Sequence, residues 1–308
     1  MDFDLTDSQQ ALVSSLQSMF APYGEIPEAG RGLKSYFAAD LQAKLVNGGF
    51  FAASRDAGNL EAALVVMEAA RLPVTVETGA SALVVPNLLA EPLEGPVALL
   101  SGDLSKAQRL LSVAKNAIVD TGDDVVVIPI DAANVEPVET MLAYPYGRFR
   151  HLPDLSKGRR LGAGARAKLH QWSRVALAAE CAGAAESAVV FTNEYIKIRK
   201  AFDQPIGSFQ AVQHRMAQCW QIMRALRYSA LHAAWTGDPV RADLAATYAQ
   251  MHCQKLVFDL HQFNGAIGIT TEYKLHYWTF RLRGLQPEVG GSDGAALAAA
   301  DKLWGAAA

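Results

Sequence analysis

Arg199-Lys200-Ala201-Phe202-Asp203-Gln204-Pro205-Ile206-Gly207-Ser208-Phe209-Gln210-Ala211-Val212-Gln213-His214 separates two long stretches of helical pattern. Upstream, residues 164–199 run without a proline; downstream, the pattern covers 208–235 and stops at Gly237-Asp238-Pro239. A third pattern covers 241–263 and stops at Asn264-Gly265, inside a second distinctive stretch, Gln262-Phe263-Asn264-Gly265-Ala266-Ile267-Gly268-Ile269-Thr270-Thr271-Glu272-Tyr273. Helical pattern resumes over 271–285, and a short alanine-rich helix ends near Trp304. Glycine just after the last periodic residue, with proline soon beyond, is an ordinary helix stop. Long helices joined by short connections predict an antiparallel four-helix bundle within residues 155–308. These helices are apolar over wide faces, which predicts burial against several neighbours, other subunits included.

Working outward, residues 1–91 also read as helical. Thr6 with Gln9 three residues on is a capping box, and Leu5, Leu12, Val13, Leu16, Met19 and Phe20 follow at helical spacing. Further helices are expected over 33–46, over 60–71 and from Thr78 to Leu89, the last kinked or split by Pro86. Residues 92–154 differ. Short β-type runs at 97–100, 117–119, 125–128 and 149–152 are separated by Gly122-Asp123-Asp124, Pro137 and Pro145-Tyr146-Gly147. About sixty residues suffice for a small sheet or partial barrel. The expected architecture is therefore mainly α with a small β domain: an N-terminal helical domain (1–91), a reduced β-domain (92–154) and a C-terminal helical bundle (155–308).

Composition narrows the function. The chain has 308 residues, 51% of them hydrophobic and 19% charged, with a net charge of -3 from 28 basic and 31 acidic residues. That excludes a disordered acidic or basic tail protein, and no run of Lys or Arg offers nucleic acid or anionic lipid a patch. Cys181, Cys219 and Cys253 are odd in number and lack CxxC spacing, so packing in a reducing compartment is expected. Met1-Asp2-Phe3-Asp4 begins no signal-peptide pattern, and no run of about 20 apolar residues predicts a membrane span. A cytoplasmic location follows as the expectation. The histidines His214, His232, His252, His261 and His276 form no metal-ligand spacing with a carboxylate, and Ser173 has no hydrolase triad around it. Tyr277 and Trp278 read as core or interface residues.

The two quoted stretches together resemble the C-terminal signatures of acyl-CoA dehydrogenases, R-x-x-F-G-x-P-I-x-x-F-Q-x-x-Q and Q-x-x-G-G-x-G-x-x-x-E-Y. The order of zones is similar too, as is the opening Phe3-Asp4-Leu5-Thr6-Asp7-Ser8-Gln9-Gln10. The resemblance implies FAD as cofactor and oxidation of the Cα–Cβ bond of an acyl-CoA thioester. A carboxylate base removes the α-proton while the β-hydride passes to the flavin. In such enzymes each FAD lies across a subunit interface: one chain supplies the β-domain and the base, its neighbour the two C-terminal stretches. By that resemblance Arg199 meets the FAD pyrophosphate, Phe202 packs beside the cofactor, Gln210 and Gln262 bond its ADP portion, and Gly265 with Ala266 lets the backbone approach. Asp203 and Ala266 stand where the family has glycine.

The other half of such a site looks reduced. Neither a T-E-P-x-A-G-S-D nor a W-x-x-x-G-x-K stretch is present, and Ser101-Gly102-Asp103-Leu104-Ser105 is at most a remnant. The usual base position, seventeen residues beyond the equivalent of Glu272, falls on Val289, next to Glu288. An alternative base position on the first bundle helix falls on Ser173, and Glu180 reads as too far along to replace it. No catalytic residue is assigned; Glu288 is the one candidate. The pattern resembles the short, site-deficient subunit of α2β2 steroid side-chain acyl-CoA dehydrogenases. That implies a longer partner subunit holding most of the acyl-CoA, and an electron-transfer acceptor. Two alternatives stay open: a self-sufficient dehydrogenase using Glu288, and a cofactor-free helical scaffold.

Overall fold

The structure, a computed structural model, describes residues 4–305; the resemblance at Phe3 lies outside them. Helix α1 (Asp7–Phe20) starts at Thr6, whose side chain accepts from the Gln9 backbone while the Gln9 side chain caps Thr6 in return. The expected capping box is formed. Helix α2 (Ala39–Asn47) begins later than the pattern suggested. Residues before it are extended instead, because Tyr36 and Ala38 exchange backbone hydrogen bonds with Thr75 (2.7 and 2.9 Å). A long-range pairing outweighs the local helical tendency there. The short α3 (Ala53–Asp56) leads to α4 (Asn59–Ala70), which is buried along most of its length. The fourth expected helix is a π-helical turn, Ala80–Val84, continued by α5 (Val85–Leu88). Pro86 sits in the first turn of α5, where its missing N–H costs nothing, so the expected kink appears as a change of helix type.

The β-layer has two small sheets. Strands β1 (Val97–Ser101), β3 (Asn116–Asp120), β4 (Val125–Pro129) and β7 (Arg159–Arg160) form one, in the order β1-β3-β4-β7. The other is β2 (Gln108–Arg109), β6 (Tyr146–Phe149) and β5 (Val135–Val138), in the order β2-β6-β5. The run expected at 149–152 is displaced: Tyr146–Phe149 pairs with β5, and Leu152 is exposed. Strands of two residues such as β2 and β7 carry no alternation to read. Alternation does operate on β3. Ile118 faces the helices, whereas Ala117 and Val119 join Leu111, Val135 and Phe149 between the sheets.

The remaining chain is the bundle: α6 (Ala165–Ile198), the hairpin β8 (Lys200–Ala201) and β9 (Gln204–Pro205), α7 (Gln210–Thr236), α8 (Pro239–Asn264), α9 (Leu275–Leu285) and α10 (Gly291–Trp304). At 34 residues, α6 is about 50 Å long. It packs against α4, α7, α8 and α9. By length and hydropathy α6 could cross a bilayer, contrary to the sequence expectation, but 78% of its apolar window is buried inside the protein. Its alanines permit this close packing, and Gly183 meets the α4 backbone at Met67, where a Cβ would collide with the carbonyl. Helix α9 ties the bundle to the N-terminal helices. Trp278 Nε1 donates to Arg71 O (2.9 Å), and the buried Arg281 donates to the carbonyls of Leu72 and Pro73. These bonds satisfy carbonyls of the turn that follows α4. Tyr277 and Trp278 are core residues, as expected. All three cysteines are free and buried, with Cys181 Sγ 3.9 Å from Cys253 Sγ.

Candidate functional site

The first quoted stretch forms the connection from α6 to α7. Arg199 caps α6, its N–H donating to Tyr195 O (2.9 Å), and its side chain is exposed. Among the described residues it has no carboxylate partner. Phe202 and Asp203 are the two central residues of the β8–β9 hairpin, at φ +53° and +63°. Positive φ at both positions fits the right-handed twist of a two-residue hairpin. Asp tolerates this conformation better than most side chains, which explains how it stands where glycine would be easiest. Asp203 is exposed at the tip. Phe202 is 89% exposed and its ring meets Phe209 edge to face (ring centroids 6.2 Å). Gln210, the first residue of α7, is exposed too.

The second stretch ends α8 and lies beside the same end of α6. Asn264 Nδ2 donates to Thr192 Oγ1 (2.9 Å), and the Tyr195 and Tyr273 rings meet edge to face at 5.9 Å. The structure thus brings both stretches to one end of the bundle. Gly265 has φ +60° and ψ -147°, a region open almost only to glycine, and a Cβ there would meet nothing within 4 Å. Its backbone faces open space. An open groove of about 960 Å³ runs past Gln262, Gly265 and Ala266, bordered by Phe258, Ile269 and Arg283. Burial lowers the pKa of His261 and His276, which flank this stretch, so both are held neutral. His276 Nδ1 donates to Tyr273 O (2.8 Å), and His261 Nε2 meets Thr279 Oγ1 (2.9 Å).

A separate cavity of about 570 Å³ lies between the β-layer and α6. Ser173 and Glu180 of α6 line it, with Glu288, Arg109 of β2, Ser101 and Gly102. Arg109 is its centre. Its Nη1 is 3.1 Å from Glu180 Oε2, its Nε is 3.7 Å from Glu288 Oε1, and its guanidinium lies over the Tyr144 ring (4.8 Å). Tyr144 Oη donates to the same Glu180 oxygen (3.0 Å). Burial works against the Arg109 charge, but the two carboxylates outweigh it and hold its pKa above the usual value. Burial raises the pKa of Glu288, and Arg109 only partly offsets this. Burial also pushes Tyr146 up to about 12. Asp103, in the remnant 101–105, turns inward on itself: Oδ1 accepts from both Ser105 N (3.0 Å) and Ser105 Oγ (2.6 Å).

Glu288 therefore does reach a cavity, but as half of an ion pair. Glu180, two turns beyond Ser173 on α6, lines the same cavity as Ser173 and Glu288, and its carboxylate is held there by Arg109 and Tyr144. Sequence reasoning missed Arg109 and Tyr144 altogether. Neither lies in a motif, and each meets Glu180 only through tertiary packing.

Residues 162–300 match the family "Acyl-CoA dehydrogenase, C-terminal domain". Acyl-CoA dehydrogenase IpdE2 of Mycobacterium tuberculosis is 37% identical over 110 residues, 36% of this chain and 35% of that protein. The IpdE2 of Mycolicibacterium smegmatis is 29% identical over 231 residues, 70% of this chain and 73% of that protein. In three dimensions the chain is similar to one from the ChsE4-ChsE5 complex of Mycobacterium tuberculosis, with a TM-score of 0.75 at 21% identity, covering 98% and 99% of the two chains. It is likewise similar to the Tcur3481-Tcur3483 steroid ACAD G363A variant, with a TM-score of 0.77 at 20% identity, covering 98% and 99%. Residues 162–300 thus carry an acyl-CoA dehydrogenase C-terminal domain, and over nearly its whole length the chain has the fold of these acyl-CoA dehydrogenase structures.

Proposed function

We propose that this chain is the FAD-completing, base-deficient subunit of a heteromeric acyl-CoA dehydrogenase. The reaction is α,β-desaturation of a CoA thioester, an oxidation acting on a CH–CH bond. The residues at the end of the bundle fit FAD. Arg199 offers a permanent charge that has no carboxylate partner among the described residues, Gln210 and Gln262 offer exposed amides, and Gly265 presents backbone that carries no Cβ. When bound, FAD supplies the hydride acceptor. Arg199 would bind and orient its pyrophosphate, and the exposed Phe202 would pack beside it. The arrangement of these groups on the outer surface favours a cofactor shared with a neighbouring chain.

One observation carries the asymmetry: inside the chain's own cavity, Arg109 is ion-paired with both Glu180 and Glu288. A base must be free to take a proton within reach of the substrate. Glu288 is instead committed to a guanidinium, so the working base is assigned to a longer partner subunit. Exposed Leu244, Met251 and Phe258, seven residues apart on α8, and exposed Ile269 supply an apolar face for that partner. An α2β2 assembly, a steroid or bile-acid side chain as acyl group, and an external electron-transfer acceptor complete the proposal. The steroid acyl group leans on the similarity to the steroid ACAD structure. The three buried thiols fit a reducing, cytoplasmic setting.

A second reading, a self-sufficient dehydrogenase, draws on the position of Glu288 in the cavity. Expressing the chain alone and with a longer homologous subunit separates the two. Flavin bound only in the co-complex, at half the number of subunits, is the expected result. Flavin and turnover in the lone chain would establish the second reading instead. Flavin held entirely by the partner would leave a scaffold.

A further inference from the structure

Helical residues 80–88 separate the Arg109 cavity from another. Ala80 faces the first, while Ser81 and Val85 face the second. The second has a volume of about 770 Å³ and lies between α2, the 51–55 turn and the 92–96 connection. It shares no lining residue with the first. Its polar floor is already satisfied. Gln42 Nε2 donates to Glu77 O and Gln42 Oε1 accepts from Glu77 N (both 2.8 Å), and Ser81 Oγ donates to the Glu77 carboxylate (2.5 Å). Phe37, Phe51, Val85 and Leu93 make the rest of the interior apolar.

Charge is confined to the rim. Lys115 is neutralised by Glu94 at 2.5 Å. Arg55 is exposed and uses Nη2 on Leu89 O (3.0 Å), and among the described residues it has no carboxylate partner. A volume in the range of small-molecule sites, an apolar interior and one uncompensated guanidinium at the mouth define a ligand class. We propose that this cavity binds an apolar monocarboxylate, its body inside and its carboxylate on Arg55. A neutral or cationic head would forfeit the charge-assisted bond. None of these residues belongs to the FAD grip or to the Arg109 network, so the inference stands apart from the proposed function.

The test uses 1-pyrenebutyrate, whose fluorescence reports transfer into an apolar site, titrated into the full chain and, in parallel, 1-pyrenebutanol. The carboxylate is expected to bind once per chain, about tenfold more tightly than the alcohol. Ala43→Trp, at an exposed wall position of α2, should abolish binding of both with the thermal melt retained. Arg55→Ala should bring the two affinities together. Absence of pyrenebutyrate binding up to saturation of the probe would overturn the proposal. So would binding that survives Ala43→Trp, or a carboxylate preference that survives Arg55→Ala.

Discussion

Arg109 Nη1 stands 3.1 Å from Glu180 Oε2, joining the β-layer to the longest helix of the bundle. Both side chains are 11% exposed, and Glu288 approaches the same guanidinium from the far end of the chain. Removing one partner of such a pair strands the other charge away from water. Arg109→Ala is expected to lower stability by about 3 kcal/mol at neutral pH. The loss should shrink on acidification, since burial raises the Glu288 pKa and a protonated Glu288 needs no counter-ion. Denaturant unfolding at pH 7.5 and 5 checks both statements. An unchanged midpoint would mean that the network contributes nothing.

Glu288 has a raised pKa in the folded chain, chiefly from burial. A raised carboxyl binds its proton more readily folded than unfolded, so its contribution is full below the unfolded value and is lost as pH rises through the folded one. Glu288→Gln should flatten the stability profile above the ordinary glutamate range. In the assembled enzyme the same change is expected to leave kcat nearly unchanged. A loss of several orders would assign the base to this chain.

Arg199→Ala and Gln262→Ala remove side chains that make no hydrogen bond or ion pair among the described residues, so neither should disturb folding. Each is expected to strip FAD from the complex, at a cost of about 1.5–3 kcal/mol for a charged hydrogen bond and less for the amide. Flavin absorbance after gel filtration measures it. Full retention in Arg199→Ala would refute the grip assigned to the end of α6.

Gly265→Ala tests backbone conformation separately from contact. At φ +60° and ψ -147° an alanine is strained although its Cβ meets nothing. A destabilisation of about 1–3 kcal/mol is expected. The melt of the apo chain should fall, and flavin retention with it. An unchanged melt would show that the turn re-forms without strain.

His261 and His276 have pKa values lowered by burial. For a base with a depressed folded pKa, the unfolded chain takes up protons first, so stability drops as pH falls below about 6.5. Thermal melts between pH 7.5 and 5 should show this decline, and His276→Leu should make it shallower. Equal slopes would clear His276 of the effect.

Much of the fold was legible from local pattern. The capping box at Thr6, the stops at Gly237 and Asn264-Gly265, and the long proline-free run now seen as α6 all depend on residues within a few positions of one another. Misreadings cluster where a distant partner decided the outcome. Residues 36–38 pair with Thr75 instead of coiling, and β6 is placed by β5 rather than by its own alternation. The two signature stretches were legible because each is contiguous, but their meeting at one end of the bundle rests on Thr192 and Tyr195.

The sequence by itself determined the order of helical and β zones and the residues proposed to hold a dinucleotide, since helix periodicity, caps and backbone freedom at glycine are local properties. Only the tertiary structure decided that Arg109, Tyr144, Glu180 and Glu288 share one cavity. Buried ion pairs form between side chains that packing brings together from separate elements, and no spacing along the chain encodes that encounter.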